Sequence, residues 1–280
     1  MTVNRIHLTV LTCLLLLIPN AGSADKDLTH ELYAKSGLKK QIELLPSNMQ
    51  AQFAQDLHFQ QMPREVSSEI KALVAQCFAA KNLEPIVLKH IEARMSPDVM
   101  RAVMDWLDSP LGKKCTKLEG AASTPEAVAG IQAFALELQD SPPSPDRLRL
   151  IRTFDAATRS TEAAVTITMN MELAIRTAFL TSFPSEAETS VAEIMEEIKR
   201  NQPQLEAMLH PQVVINLLYA YRSLSNSELE EYIEFATSDM GKNYHAATLD
   251  AIRNALLDAS LRFGRSMVDL FRHIGKQSEA

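Results

Sequence analysis

The apolar residues of this chain recur at intervals of three and four positions, which is the spacing of one face of an α-helix. Three stretches show the pattern clearly. They are Leu38, Ile42, Leu45, Met49, Phe53 and Leu57; Val99, Met100, Val103, Met104 and Leu107; and Val128, Ile131, Phe134, Ala135 and Leu138. The spacing predicts amphipathic helices that each bury one face.

The longest amphipathic segment covers residues 239–272. Its apolar positions include Leu249, Ile252, Leu256, Leu257, Leu261 and Met267. Such a segment packs on its own bundle or presents a face to a partner helix, and the sequence leaves both interpretations open. The run Val165-Thr-Ile-Thr alternates like a strand, but helix-forming residues flank it. We therefore expect it to continue a helix.

Turn and cap residues support an all-α fold. Glycine is absent from residues 38–111 and 131–240, so β-hairpins would lack their usual turns. Helix starts are predicted where proline follows Ser or Thr, at Ser96-Pro97, Ser109-Pro110 and Thr124-Pro125. Capping boxes are predicted at Ser185–Glu188 and Ser225–Glu228.

One short frame occurs twice, as DWLDSPLGKKC at 105–115 and as EFATSDMGKNY at 234–244. Alignment of 96–122 with 225–251 matches Ser96/Ser225, Ser109/Ser238, Gly112/Gly241, Lys113/Lys242 and Ala122/Ala251. The pattern predicts two tandem, diverged helical-bundle repeats with a pseudo-two-fold relation. Further upstream, Leu32-Tyr33…Ser36-Gly37 loosely matches Ile151…Phe154…Ala157-Thr158.

The N-terminus has the pattern of a secretory signal peptide. Arg5 and His7 precede an apolar run, Leu8 to Ile18, and small residues follow Pro19. The run is shorter than the roughly 20 residues that span a membrane. We expect cleavage near Ser23 or Ala24, a periplasmic or secreted protein, and no transmembrane span after signal removal.

These features divide the chain into four parts. The Pro/Ser-rich stretch near the middle separates two halves of similar length. The predicted parts are a signal peptide at 1–23, a first helical repeat at 24–139, a linker at 140–146 and a second helical repeat at 147–280.

The repeated frame resembles a motif of a known protein family. Trp106-x-x-Ser109-Pro110-x-Gly112-Lys113 and its second copy, which starts at Phe235, resemble the hallmark of a family of exported bacterial helical proteins catalogued as a domain of unknown function. The resemblance implies export and a helical fold, and it carries no activity, cofactor or catalytic residue. Asp239 replaces the motif's proline in the second copy, which predicts a looser corner there.

Composition narrows the possible partners. The chain has 280 residues, 46% of them hydrophobic and 22% charged, enough to build a core. Its formal net charge of −7, without a basic run, argues against a nucleic-acid partner. Two cysteines remain after signal removal, Cys77 and Cys115, and they form either one disulfide or two buried free thiols.

Local motifs for catalysis or metal binding are weak. Ser36-x-x-Lys39 has the nucleophile spacing of penicillin-recognising acyl enzymes, but no Lys-Thr-Gly strand accompanies it, which favours an ordinary helix turn. The histidines lack zinc-site spacing. Met169 and Met171 would suit Cu(I), yet their spacing places them on different sides of a helix and favours core packing. We expect no metal and no cofactor.

The repeated corner has two interpretations. Glycine in a first helical turn costs about 1 kcal/mol relative to alanine, so something must compensate for it. In the packing account, the missing Cβ lets the preceding aromatic or a neighbouring helix press against the backbone. In the anion account, the bare N–H groups bind an anion beside a lysine. Its candidate residues are Ser109, Gly112, Lys113, Ser238, Gly241 and Lys242.

The expected function is that of a non-enzymatic exported binding or protein-interaction module. Its partner would be another protein or a small apolar ligand held between helices. The alternative is an envelope hydrolase with a site assembled between the two repeats. An enzyme would gather polar residues in one cleft, whereas a binding module would present an apolar groove or patch.

Overall fold

A computed structural model describes residues 21–55, 61–182 and 190–278. These residues form α-helices joined by short turns and contain no strand, which confirms the predicted all-α fold. Two predictions lie outside the described residues. They concern the apolar run of the signal peptide and the capping box at Ser185–Glu188.

The helices follow one another closely along the chain. Their bounds are α1 (Ala21–Lys35), α2 (Leu38–Gln55), α3 (Arg64–Cys77), α4 (Ala80–Arg94), α5 (Pro97–Asp108), α6 (Pro110–Ala122), α7 (Ala127–Asp140), α8 (Pro145–Thr158), α9 (Ser160–Ser182), α10 (Val191–Ala220), α11 (Asn226–Thr237) and α12 (Asp239–Ser278). The ambiguous run at 165–168 lies inside α9, so its assignment to a helix is confirmed.

Most of the predicted helix starts are confirmed. Ser96 and Ser109 cap α5 and α6, and the capping box of Ser225 with Glu228 opens α11. The start at Thr124 is wrong by a few residues: a turn occupies these positions, and α7 begins at Ala127. A capping box that the sequence reading missed, Ser190 with Glu193, opens α10.

The core is continuous across both halves of the chain. One cluster of buried apolar side chains extends from Leu32 to Met267. Helix α12 crosses this core and packs on α9, α4 and α3, so the packing interpretation of this segment is confirmed. Alanines recur every fourth position along it and are at most 3% exposed, which lets neighbouring helices approach closely. They are Ala247, Ala251, Ala255 and Ala259.

Helices of each half also contact the other half. Helix α12 packs on α3 and α4, whereas α6 packs on α10 and α11. Ion pairs join the halves at two of these contacts. Lys114 on α6 lies 2.6 Å from Glu228 on α11, and Arg94 on α4 pairs with Asp250 on α12. Because the halves share one core, we expect them to unfold together.

The two cysteines are buried and free, so the structure has the second of the two alternatives and no disulfide. Their sulfurs face different surroundings. Cys77 Sγ lies 4.0 Å from Ser266 Oγ on α12, whereas Cys115 is near the carboxylates of Glu119 and Glu228. The sequence left both alternatives open, because it could not show that the two thiols face different helices.

We expect the mature protein, unfolded in denaturant without reductant, to show two reactive thiols in a colorimetric thiol assay. The folded protein should react much more slowly, because burial raises the pKa of the Cys115 thiol to about 12 and thiolate is the reactive form. A chain without reactive thiols after unfolding would contradict this prediction and indicate a bond between Cys77 and Cys115.

Candidate functional site

The two repeated corners have nearly the same geometry. Ser109 joins α5 to α6 with φ −62° and ψ 159°, and Ser238 joins α11 to α12 with φ −64° and ψ 163°. Each serine Oγ accepts a hydrogen bond from the glycine N–H three residues on, at 3.0 Å for Gly112 and 3.1 Å for Gly241. The expected loosening at Asp239 was therefore wrong, because the serine cap fixes the corner without proline.

Both corner glycines are in contact with backbone. A Cβ on Gly112 would lie 2.2 Å from the carbonyl oxygen of Trp106, and one on Gly241 would lie 2.0 Å from that of Phe235. Side-chain carbon atoms do not approach oxygen this closely. The new helix therefore crosses the last turn of the preceding one through space that only glycine leaves open. This geometry supports the packing account.

The same corners offer little to an anion. The capped N–H of each glycine already has a partner, and Pro110 has no N–H to donate. In the second copy, Asp239 places a carboxylate in the first helical turn. Lys113 and Lys242 are exposed, and Lys113 Nζ lies 3.7 Å from Asp108 Oδ1.

The aromatic residues of the two corners meet in the interior. Trp106 stacks on Phe235, with ring centroids 4.0 Å apart and planes 9° apart. Tyr232 packs beside Trp106 at 4.7 Å, and Phe154 meets Tyr232 edge to face at 4.7 Å. Stacked and edge-to-face pairs of this kind add stability beyond burial alone. They also connect the corners to a group of polar residues deeper in the protein.

That polar group surrounds a cavity of about 390 Å³ between the two halves. Helices α6, α11 and α12 contribute to its wall, as do the corner between α1 and α2 and the end of α10. The wall includes polar and ionisable side chains that could bind a ligand or take part in a reaction. They include Ser36, Glu119, Tyr221, Tyr232, Tyr244, His245 and Thr248. Of these, the sequence singled out Ser36 as a nucleophile candidate.

Glu119 supplies the carboxyl group of the cavity wall. The phenols of Tyr221 and Tyr232 donate hydrogen bonds to its Oε1, at 2.8 Å and 3.0 Å. Burial raises the pKa of the Glu119 carboxyl, and the two phenols partly offset the shift. Burial and the nearby carboxylate also raise the pKa of both tyrosines, which keeps them protonated as donors.

His245 is the second ionisable side chain of the wall. Its ring packs against those of Tyr244 and Phe235, at 5.0 Å and 6.3 Å. Burial lowers its pKa to about 4, so the imidazole is neutral at pH 7. In the part of the chain that the structure describes, its buried Nε2 has no hydrogen-bond partner. An unpaired buried nitrogen is costly, and its partner would have to be a group that reaches the interior.

The serine hydroxyls around the cavity have structural partners, whereas the buried Thr248 Oγ1 has none among the described residues. Ser36 Oγ donates to the carbonyl of Tyr33, Ser123 Oγ donates to the carbonyl of Glu119, and Ser160 Oγ bonds to Thr158. Lys39 is exposed while Ser36 is buried, so the Ser-x-x-Lys spacing does not form an acyl-enzyme pair. None of these serines contacts a histidine that would activate it.

The cluster of Asp155, Thr161 and His210 lies outside the cavity wall and has a structural role. Asp155 Oδ2 contacts both Thr161 Oγ1 at 2.7 Å and His210 Nδ1 at 3.1 Å, and Asp155 Oδ1 accepts from the backbone N–H of Thr161. The side chains of Thr161 and His210 both contact this one carboxylate, which also caps the first turn of α9. A catalytic relay would instead use the two nitrogens of the imidazole for different partners.

A second cavity, of about 370 Å³, is mainly apolar. Its apolar wall consists of Leu45, Met49, Phe78, Ile167, Met171 and Leu256. Met169 and Met171 pack on separate apolar clusters, as expected for core residues. Among the described residues, no group of three or more His, Cys, Asp and Glu side chains is placed to hold a metal ion.

Within the described ranges, no helix combines the length and the apolar character needed to cross a membrane. Comparison of the chain with protein-family models, with curated proteins and with solved structures gives no match. The site must therefore be interpreted from its own chemistry. No local signal marks Glu119, because its partner Tyr221 is 102 positions away along the chain.

Proposed function

We propose that this protein binds a small polar ligand in the cavity around Glu119. The observation that carries the proposal is a shared wall: Glu119, which accepts hydrogen bonds from two phenols, and His245 line one cavity that is large enough for a small molecule. The serine hydroxyls of the wall bond to backbone carbonyls or to Thr158, which favours binding over chemistry. The function is proposed for an exported protein after removal of its signal peptide.

We further propose that the chain consists of two diverged copies of one unit. Helices α5 and α11 both begin and end 129 positions apart, and α6 and α12 begin with the same offset. The corners after α1 and α8 each contain a left-handed residue, Gly37 with φ 77° and Arg159 with φ 59°. If these two left-handed residues correspond, Gly37 pairs with Arg159. The alignment of the two sequences paired Gly37 with Thr158, so the upstream match shifts by one residue.

The cavity lies where the two proposed copies face each other. Several wall residues form pairs at the same sequence separations. The separation is 122 positions for residues near the corner after α1 and 129 positions between α6 and α12. They are the pairs Ser36/Thr158, Leu38/Ser160, Gln41/Ala163 and Glu119/Thr248. This supports a pseudo-two-fold axis through the cavity. Membership of the exported family with the aromatic-x-x-Ser-Pro-x-Gly motif is likewise a proposal, and it rests on the repeated motif.

A hydrolase with a site assembled from both halves is the second candidate. The gathering of polar residues from both halves in one cleft favours it. Among the described residues of the wall, no nucleophile is hydrogen-bonded to a base, which weighs against it. The buried thiol of Cys115 stays protonated, and His245 packs on aromatic rings. We therefore favour binding.

Binding can be tested by filling the cavity. We expect at least one class in a panel of small amines, alcohols, carboxylates and amides to raise the melting temperature of the wild-type chain. A ligand at 100 times its Kd stabilises the folded state by about 2.7 kcal/mol. The variant Ala163→Phe should lose this response, because Ala163 lines the cavity.

Ala129→Phe is the matched control, since Ala129 is exposed on α7 and outside the cavity wall. It should respond as the wild type does. Ala122→Leu provides a smaller filling change if Ala163→Phe does not fold. A response that persists in the filled variants, or a panel without any response, would contradict the proposal.

A further inference from the structure

The charge of the cavity restricts what it can bind. Glu119 carries the carboxylate of the wall, and none of the wall residues that the structure describes is Lys or Arg. His245 is neutral at pH 7. The carboxylate therefore has phenols for partners but no cation. An anionic ligand would be repelled, whereas a cation would supply the missing charge.

The geometry leaves room for such a partner. Both phenol hydrogen bonds end on Oε1 of Glu119, so Oε2 remains for a ligand. The wall is also aromatic, with the rings of Phe154, Tyr232 and Tyr244 around the cavity. Aromatic rings attract cations through their negative faces, and organic ammonium ions suit such surroundings.

We propose that the ligand is a small organic ammonium ion that pairs with Glu119 among these aromatic rings. The inference rests on the proposed binding function and specifies its ligand class. A divalent metal ion would need several hard ligands, and the described residues offer one carboxylate here and no metal-binding group of three.

The decisive experiment compares choline with 3,3-dimethylbutan-1-ol, which has the same shape but carries carbon in place of the charged nitrogen. Calorimetric titration of the full mature chain should show choline, tetramethylammonium or methylammonium binding at least about tenfold more tightly than the neutral alcohol. Potassium chloride at equal ionic strength controls for a general salt effect. Equal affinity for choline and the alcohol would overturn the inference.

A variant tests the role of Glu119. Glu119→Gln keeps the size and an acceptor for the phenols but removes the charge, so the ammonium probes should bind at least about tenfold more weakly. Glu126→Gln, at an exposed position outside the cavity wall, makes the same change in net charge and should leave affinity unchanged. Equal losses in both variants would contradict pairing with Glu119.

The results separate this inference from the proposed function. If the neutral alcohol or another uncharged class binds in a manner that Ala163→Phe abolishes, the binding function stands and the ammonium inference fails. If no probe binds to the wild type, both fail. The comparison of choline with its isostere requires no variant, so it decides the question even if Glu119→Gln does not fold.

Discussion

Alanine at Gly112 or at Gly241 is expected to destabilise the protein by at least about 3 kcal/mol, although alanine normally favours a helix over glycine by about 1 kcal/mol. The added Cβ would lie 2.2 Å or 2.0 Å from the carbonyl oxygen of Trp106 or Phe235. These are backbone atoms, so relief requires the two helices to separate. The melting temperature should fall by roughly 6–12 °C. Leucine should have a larger effect.

Gly120 provides the matched control within α6. A Cβ there would meet the side chain of Lys40 at 3.7 Å, which is an ordinary contact, so Gly120→Ala should stabilise the protein by up to about 1 kcal/mol. Lys113→Ala and Lys242→Ala should barely change the melting temperature. If the alanine variants of the corner glycines melt like the wild type, the packing account fails. Stabilisation by phosphate that the lysine changes abolish would instead support an anion site.

Acidification should destabilise the protein through His245. Burial lowers its folded-state pKa to about 4 from the ordinary value of 6.5, so the unfolded chain binds a proton more readily than the folded one. The stability that the neutral imidazole contributes is full above pH 6.5 and is lost as the pH falls toward 4. The difference between these two pKa values corresponds to roughly 3 kcal/mol. Urea unfolding at pH 7.5 and pH 4.5 measures most of this loss.

Two variants isolate the contribution of His245. His245→Gln removes the titrating group, so its stability should fall less between these pH values than that of the wild type. Because the pKa of Glu119 is raised, that carboxyl acts in the opposite direction, and the difference between variant and wild type is the quantity to compare. The exposed His30 is the control position, and His30→Gln should keep the wild-type pH dependence. Parallel curves for all three proteins would contradict the prediction.

Local chemistry made the helices and corners predictable from the sequence. Apolar residues at three- and four-residue spacing marked α2, α5 and α12, because helical periodicity is a property of neighbouring positions. Serine caps marked the starts of α6 and α11 for the same reason, since the hydroxyl bonds to an N–H three residues away. Thr124 failed as a start because a turn uses the same residue types.

The candidate site depended on the tertiary structure. Glu119 has no local signature, and its partners Tyr221 and Tyr232 come from the other half of the chain. The stacking of Trp106 on Phe235 and the separate surroundings of the two cysteines likewise depend on how distant helices cross. The sequence by itself determined which segments are helical and where they turn. The packing of α6 and α12 across the two halves decided which polar groups are buried together, because desolvation depends on contacts that no single helix contains.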